Sequence, residues 1–159
     1  MPEFYIPRIL RTQDGVEINQ AELLMSEASF IIILAEPGAG KTDLLSDLAH
    51  QLNTKRYRAN IFKNKVVQST EDVLIIDGFD EVSKLEGENA IDVVLTKISA
   101  ANPKSVVLSS RASEWNDSRN RGLISEYLDI PENQIATLYL QPLTYQDQQV
   151  FFDHHKKIE

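Results

Sequence analysis

Five apolar runs along the chain alternate with segments of helical periodicity. In chain order the runs are Phe30–Leu34, Arg58–Phe62, Val73–Ile76, Ser105–Ser110 and Ile135–Leu140. The first, third and fourth runs are continuous and mostly β-branched, which is typical of strands covered on both faces. Strands that alternate with helices predict an α/β fold of three layers, with a mainly parallel sheet of five strands.

Four segments carry apolar residues at helical spacing. They are Thr42–Asn53, Ala90–Ala100, the short segment Gly122–Leu128, and Tyr145–Lys157 with Thr144 as its N-cap. The first is the clearest, because Leu44, Leu48 and Leu52 recur every four residues. The last predicted helix reaches the end of the chain, so we expect the protein to continue beyond Glu159.

The link between the second and third runs is short for a parallel crossover. Only ten residues, Lys63 to Asp72, separate the two runs, whereas a parallel crossover usually needs about a dozen or more. The second strand is therefore either short and at an edge of the sheet, or paired in another way.

Charge and composition narrow the class of partner. The chain has 159 residues, a net charge of -8 and no cysteine. It is long enough for one domain with a core, and its negative charge disfavours non-specific binding to nucleic acid. The lack of cysteine excludes disulfides, thiol catalysis and cysteine-based metal sites. The sequence shows neither a signal peptide nor an apolar run long enough to span a bilayer, so we expect a cytoplasmic protein without a membrane partner.

The segment after the first run has the pattern of a phosphate-binding loop. Gly38 and Gly40 allow the backbone to come close to a phosphate chain and to turn its N–H groups inward, at the start of a helix. Lys41 would add a charge for the β and γ phosphates, and the Thr42 hydroxyl is a ligand for Mg2+. The usual pattern begins with glycine, where this chain has Ala35.

The alternative for this segment is a glycine-rich turn with an exposed lysine and no ligand-binding role. The strand before it and the helix after it favour the phosphate loop. We predict that the nucleotide contacts come from Glu36, Pro37, Gly38, Ala39, Gly40, Lys41, Thr42 and Asp43.

The third run delivers carboxylates to the edge of the sheet where ligands bind. Asp77 directly follows the run and would hold Mg2+ together with Thr42. Asp80 or Glu81, just beyond, could orient and polarise an attacking water. An acidic turn without chemistry is the alternative, but the phosphate loop 36 residues earlier favours the functional interpretation.

An arginine follows the fourth run at the same edge. Arg111, in Ser109-Ser110-Arg111, could reach the γ-phosphate, although a surface salt bridge is the alternative. The predicted catalytic residues are thus Asp80, Glu81 and Arg111, and the predicted metal ligands are Thr42 and Asp77. The basic run Lys55–Arg58 is interpreted as a solvated helix end.

Together the three motifs resemble the NACHT branch of the STAND P-loop ATPases. The most discriminating piece is Asp77-Gly78-Phe79-Asp80-Glu81, because a generic additional-strand ATPase has glutamate directly after the strand aspartate, where this chain has Gly78. The resemblance implies a P-loop NTPase fold of the additional-strand (RecA/AAA-like) type. It also implies an N-terminal segment over residues 1–28, a core over 29–143, and the start of a helical subdomain over 144–159, which Leu140–Thr144 would enter.

The resemblance further implies an ATP/ADP switch with slow ATP hydrolysis, part of a larger signalling or defence NTPase. ATP would favour an open, oligomerising state and ADP a closed one, so self-association or other domains are the expected partners beside the nucleotide. Tyr5–Arg8 matches the segment that lies against the base in such proteins, and Arg111 matches the sensor arginine.

Three other functions remain open at this point. A P-loop kinase acting on a small molecule would need lid arginines, for which Arg111, Arg119 and Arg121 are the candidates. A mechanical or nucleic-acid ATPase of the AAA+ or helicase type is disfavoured by the acidic charge and by Gly78. A degenerate scaffold is disfavoured by intact Lys41, Thr42 and Asp77. ATP over GTP rests on the resemblance, since the sequence has no guanine-reading Asn-Lys-x-Asp tetrad.

Overall fold

A computed structural model of the chain describes residues 7–64, 72–144, 146–150 and 153. Within this part, seven strands form one sheet in the order β2-β1-β7-β3-β6-β5-β4. The strands are β1 (Ile9–Arg11), β2 (Glu17–Asn19), β3 (Phe30–Ala35), β4 (Arg56–Arg58), β5 (Val73–Asp77), β6 (Ser105–Arg111) and β7 (Ile135–Leu140). The helices are α1 (Gln20–Leu24), α2 (Lys41–Gln51), α3 (Ala59–Phe62), α4 (Phe79–Glu86), α5 (Ala90–Ala101) and α6 (Asp117–Leu128).

The centre of the sheet is parallel, as predicted. β3 pairs in parallel with β6 and β7, β5 pairs in parallel with β4 and β6, and β1 pairs antiparallel with β2 and β7. The α/β class is confirmed, but the predicted count of five strands is corrected to seven. β1 and β2 escaped prediction because each is three residues long and shows no extended alternation.

The predicted second strand, Arg58–Phe62, is wrong. The strand β4 lies at Arg56–Arg58, and the apolar residues that suggested a strand belong to the helical turn α3. In α3, Ala59 and Phe62 are three residues apart and both are buried, while Ile61 is exposed, which is a helical and not an extended pattern. Because β4 ends at Arg58, the link to β5 has fourteen residues, 59–72, which is long enough for the parallel crossover. As one of the two expected alternatives stated, β4 is short and lies at an edge of the described sheet.

The two faces of the sheet pack against different helices, which gives three layers. In β3, Phe30, Ile32 and Leu34 pack in a core with α3 to α6, while Ile31 and Ile33 face the leucines of α2. All of these side chains are buried, so β3 has no polar face and reads as a continuous apolar run. Successive strand residues point to opposite faces, so position within a strand decides which layer a residue joins.

The predicted helices vary in accuracy. Thr42–Asn53 and Ala90–Ala100 match α2 and α5 closely, whereas the helix predicted from Gly122 begins earlier, after the N-cap Asn116. The helix α4 was not predicted. At the end of the chain, residues 146–150 and 153 are helical. The Thr144 hydroxyl accepts a hydrogen bond from the backbone N–H of Asp147, as an N-cap does. The other residues predicted to be helical there lie outside the described part.

None of the helices that the structure describes is both long and apolar enough to cross a bilayer.

Truncation of a buried α2 side chain tests the packing of this layer. Leu48 is fully buried between α2 and the sheet, so Leu48→Ala should lower the free energy of unfolding by about 2–5 kcal/mol. Urea unfolding measures this change. Leu85→Ala, at an exposed position of α4, is the matched control and should change stability by less than about 0.5 kcal/mol. Equal effects of the two variants would contradict the assigned layer.

Candidate functional site

The loop between β3 and α2 has a backbone that only glycine accommodates easily. Gly38 and Gly40 have φ angles of +76° and +90°, in the left-handed region, which residues with a Cβ rarely adopt. The N–H of Ala39 donates to the Glu36 carbonyl at 3.1 Å and closes a tight turn. Gly40 is the N-cap of α2 and has no side chain to cap the helix. The first N–H groups of an eleven-residue helix therefore face a concave loop.

A buried arginine from the N-terminal segment holds this loop from outside. The guanidinium of Arg8 donates to the carbonyl of Ala39 at 2.6 Å and to the carbonyl of Gln141, beyond β7. A Cβ on Gly40 would lie 2.6 Å from Arg8 Nη1, so a side chain there would displace the guanidinium from its contact with the loop. The segment Tyr5–Arg8 was predicted to lie against the base of a nucleotide. Tyr5 and Ile6 lie outside the described residues, whereas Arg8 contacts the loop.

The carboxylate of Asp77 lies at the carboxyl end of β5 and accepts hydrogen bonds from three other elements. Its Oδ2 accepts from Thr42 Oγ1 in α2 at 2.8 Å and from Arg56 Nη1 in β4 at 3.0 Å. Its Oδ1 accepts from Ser109 Oγ in β6 at 2.6 Å. The side chain is only 7% exposed. The two predicted metal ligands, Thr42 and Asp77, therefore lie side by side.

The turn after Asp77 sends a second carboxylate toward the loop. Gly78 has a φ of +84° and starts α4, and its N–H donates to Ser109 Oγ at 3.0 Å. Phe79 then enters the core, where its ring packs edge-on against Trp115 at 5.2 Å between centroids. These contacts fix the first turn of α4, so that the next residue, Asp80, is buried on the side of the loop.

Asp80 lies between two cations that sequence analysis had placed at the γ-phosphate. Lys41 Nζ donates to Asp80 Oδ1 at 2.8 Å. The backbone N–H of Arg111 donates to the same oxygen at 3.2 Å, and Arg111 Nε lies 3.5 Å from Oδ2. The structure thus brings Lys41, Asp80 and Arg111 into one cluster at the mouth of the loop.

Opposing effects act on the pKa of Asp80. Burial raises the pKa, while the hydrogen bond and charge of Lys41 and the N–H of Arg111 lower it, and the net result lies below the ordinary value of 3.8. The carboxyl group is therefore ionised at neutral pH, and it is a weaker base than an exposed aspartate.

Glu81 is directed away from this cluster. Its Oε2 accepts from Arg58 Nη2 at 3.1 Å, and the two side chains are 43% and 55% exposed. Of the two acids that the sequence left as alternatives, only Asp80 contacts Lys41 and Arg111 in the described structure.

Sequence reasoning missed two residues that contact Asp77. The interpretation of Lys55–Arg58 as a solvated helix end is wrong, because Arg56 belongs to β4 and pairs with Asp77. Ser109 was noted only as a neighbour of Arg111. The alternation of strand residues could have indicated Ser109, since Val107 packs on the α2 side of the sheet and Ser109 follows it by two residues.

Thr42 and Asp77 fit the ligand chemistry of a magnesium ion. Adjacent ligands of an octahedral ion with bonds of about 2.1 Å lie about 3 Å apart, and Thr42 Oγ1 lies 2.8 Å from Asp77 Oδ2. Magnesium is typically held by one or two protein oxygens together with phosphate oxygens and waters. In the described residues, no group of three or more His, Asp or Glu side chains is arranged to hold a metal by itself.

The candidate lid arginine Arg121 has a structural role. It donates to Thr137 Oγ1 at 2.9 Å and to the carbonyl of Ile135 at 2.7 Å. Ile135 is the first residue of β7, which runs parallel to β3, so it lies at the sheet edge opposite to the loop. Arg119 donates to the carbonyl of Glu88 at 3.2 Å.

A cavity of about 320 Å³ adjoins Arg8 and the chain after β7. Its lining includes Arg8, Ile9, Pro142, Leu143 and Thr144. The lining also includes the charged residues Arg11, Glu17 and Asp147, so it is mixed in character, and Arg8 connects the cavity to the loop through its contact with Ala39.

The strand order and the loop after β3 are those of a P-loop NTPase fold. A solved structure of a DNA replication initiation factor matches with a TM-score of 0.54 and 16% identity, over 86% of this chain and 48% of that chain. AMPPCP-bound DnaA from Aquifex aeolicus matches with a TM-score of 0.52 and 18% identity, over 87% of this chain and 49% of that chain.

The likeness to these proteins is one of fold. The chain spans about half the length of the solved structures that it matches. The sequence matches no protein-family model and no curated protein.

Replacement of Asp80 should change how stability depends on pH. Because its pKa is lowered in the folded state, the unfolded state binds more protons as the pH falls below the ordinary value of 3.8. Asp80 therefore contributes stability above that pH and loses it as the pH falls through the lower, folded pKa. In Asp80→Asn, the free energy of unfolding should therefore depend less on pH in the acid range than it does in the parent.

Urea unfolding at about pH 6 and about pH 3 measures the difference. Asp72→Asn, which removes a carboxylate that is 78% exposed, is the matched control and should retain the parent slope. An unchanged slope in Asp80→Asn would show that the Lys41 contact does not hold in solution.

Proposed function

We propose that the chain is a nucleotide-binding module that takes ATP or ADP together with Mg2+. The observation that carries this proposal is the loop from Glu36 to Gly40 at the start of α2, with Lys41 and Thr42 directed at the acids of α4 and β5. The phosphates would be held by the backbone of residues 36–43, where the helix start and Lys41 favour negative charge. AMPPCP, a nucleotide analogue, is bound in one protein of the same fold.

Magnesium would be held by Thr42 and Asp77. A bound ion would neutralise charge on the phosphate oxygens and would hold them in a fixed arrangement. Ser109 supports this role by orienting Asp77 through Oδ1, which leaves Oδ2 directed at Thr42.

The base would occupy the cavity beside Arg8. This cavity lies between the N-terminal segment and the chain that leaves β7, and its lining includes Pro142 and Leu143. The position agrees with the segment Tyr5–Arg8 that the NACHT resemblance places against a base.

Slow hydrolysis is assigned to Asp80 as the residue that positions water. Lys41 and Arg111 are the two cations suited to the γ-phosphate, and Asp80 is the acid between them. Its lowered pKa makes it a poor proton acceptor, so it orients water by accepting a hydrogen bond and does not act as a strong base. Glu81, which pairs with Arg58, has no such position.

We further assign the module to a NACHT-type switch in a larger signalling or defence protein. Support comes from the sequence Asp77-Gly78-Phe79-Asp80-Glu81 and from the geometry by which Gly78 and Phe79 place Asp80 at the loop. The sensor role of Arg111 rests on its contact with Asp80. On this proposal residues 29–143 are the core, residues 1–28 lead into it, and residues 144–159 begin a helical subdomain that binds other domains or copies. A kinase is disfavoured, because Arg121 is tied to β7.

Lys41 should be required for tight nucleotide binding. Its ammonium is the charge directed at the β and γ phosphates, so Lys41→Ala should weaken binding of Mg-ATP by at least about tenfold. Isothermal titration, together with the thermal shift produced by ATP and ADP, measures the affinity. Lys104→Ala, at a lysine that is 82% exposed, is the control and should bind as the parent does. Binding by Lys41→Ala at parent affinity would remove the loop from the proposal.

Substitution of the two acids of α4 should have different effects on the rate of single-turnover hydrolysis. Asp80→Asn should lower the rate by about 10²-fold or more while nucleotide binding is retained, because a neutral amide is a weaker hydrogen-bond acceptor for the water than a carboxylate. Glu81→Gln should change the rate by less than about threefold. Phosphate release from a pre-formed ATP complex measures both. The reverse order of effects would transfer the water-positioning role to Glu81.

A further inference from the structure

The guanidinium of Arg56 contacts the oxygen of Asp77 that faces the candidate metal position. Arg56 Nη1 lies 3.0 Å from Asp77 Oδ2, the same oxygen that accepts from Thr42. Strand alternation accounts for this placement. Tyr57 is buried in the core with α3 to α6, so its neighbours Arg56 and Arg58 point to the α2 side, where Asp77 also lies.

The buried carboxylate needs a counter-charge when no metal is bound. Asp77 is 7% exposed, and Thr42 and Ser109 offer it only neutral donors. Lys41, the cation of the loop, is paired with Asp80. Among the described residues, Arg56 is the cation in ion-pair contact with Asp77. A buried charge without a partner is costly, so this ion pair stabilises the metal-free site.

Two cations cannot share this oxygen without repelling each other. A magnesium ion next to Thr42 Oγ1 and Asp77 Oδ2 would lie within about 5 Å of the guanidinium, where like charges repel strongly in a partly buried site. Arg56 is 28% exposed, and its long side chain can move toward solvent or toward the phosphates.

We propose that Arg56 is an internal counter-ion of Asp77 that competes with Mg2+ and thereby sets how strongly nucleotide binding depends on magnesium. Without metal, Arg56 neutralises Asp77 and adds positive charge near the triphosphate. When Mg2+ binds together with the nucleotide, the guanidinium of Arg56 would move away from Asp77 Oδ2. The inference rests on the proposed function, since it needs a site that binds nucleotide.

The quantity to measure is the ratio of the ATP dissociation constant in EDTA to that in saturating MgCl2. Arg56→Gln loses the charge, so metal-free ATP should bind more weakly and the magnesium concentration for half-maximal binding should fall. The ratio should rise at least about fivefold over the parent, within the usual range of coupling between two ligands.

Arg58→Gln is the matched control. It makes the same charge change two residues away on the same strand, but Arg58 pairs with the half-exposed Glu81 and not with Asp77. Its ratio should stay within about twofold of the parent, because exposed pairs couple weakly. Arg56→Lys keeps the charge without the planar fork, so it should shift the ratio in the same direction by a smaller factor. It decides the question if Arg56→Gln does not fold.

The outcomes separate this inference from the proposed function. If the parent binds ATP and neither Arg56 variant changes the ratio, or if Arg58→Gln changes it as much, the competition is overturned while nucleotide binding stands. If the parent binds neither ATP nor ADP at saturating MgCl2, the proposed function fails and the role of Arg56 with it.

Discussion

The candidate site depends on the hydrogen bonds that the carboxylate of Asp77 accepts. This group is buried at the end of β5 and accepts from a helix and from both neighbouring strands, through Thr42, Arg56 and Ser109. An ionised group in that position is tolerable only with such partners. Of the three, the contact with Thr42 joins the start of α2, and with it the preceding loop, to the end of β5. The requirement to satisfy one buried charge therefore also ties the loop between β3 and α2 to the end of β5.

The five residues from Asp77 to Glu81 work as a structural unit. Gly78 supplies a left-handed turn, and Phe79 anchors the turn in the core against Trp115. As a result Asp80 is directed inward, to Lys41, and Glu81 outward, to Arg58. An acid placed directly after Asp77 would occupy the turn itself. The insertion of a glycine and an apolar anchor moves the second acid onto a helix, where the positive end of α4 also stabilises it.

Long apolar runs could be predicted from the sequence, and short elements could not. β3, β5 and β6 were found because burial on both faces makes them continuous in sequence, and β7 was found as a run of six mostly apolar residues. β1, β2 and β4 have three residues each, too few for a period of two to be visible. The proximity of the loop to Asp77 and Asp80 could be predicted because glycines, lysine and carboxylates stand at strand ends, whereas Arg56 and Ser109 were missed. The choice between Asp80 and Glu81 could not be made, because adjacent residues of a helix point in different directions and only packing shows which one faces the loop.

The outer strands of the sheet bear on how copies of the chain can associate. Within the described residues, the sheet ends at β2 on one side and at β4 on the other. Both strands are three residues long and carry charges, among them Glu17, Arg56 and Arg58. Short, charged edge strands present few unpaired backbone groups with which a strand of another copy could form hydrogen bonds. Continuation of the sheet from one molecule to the next is therefore disfavoured, and an assembly of this module would have to be built through the side chains of its helices and loops.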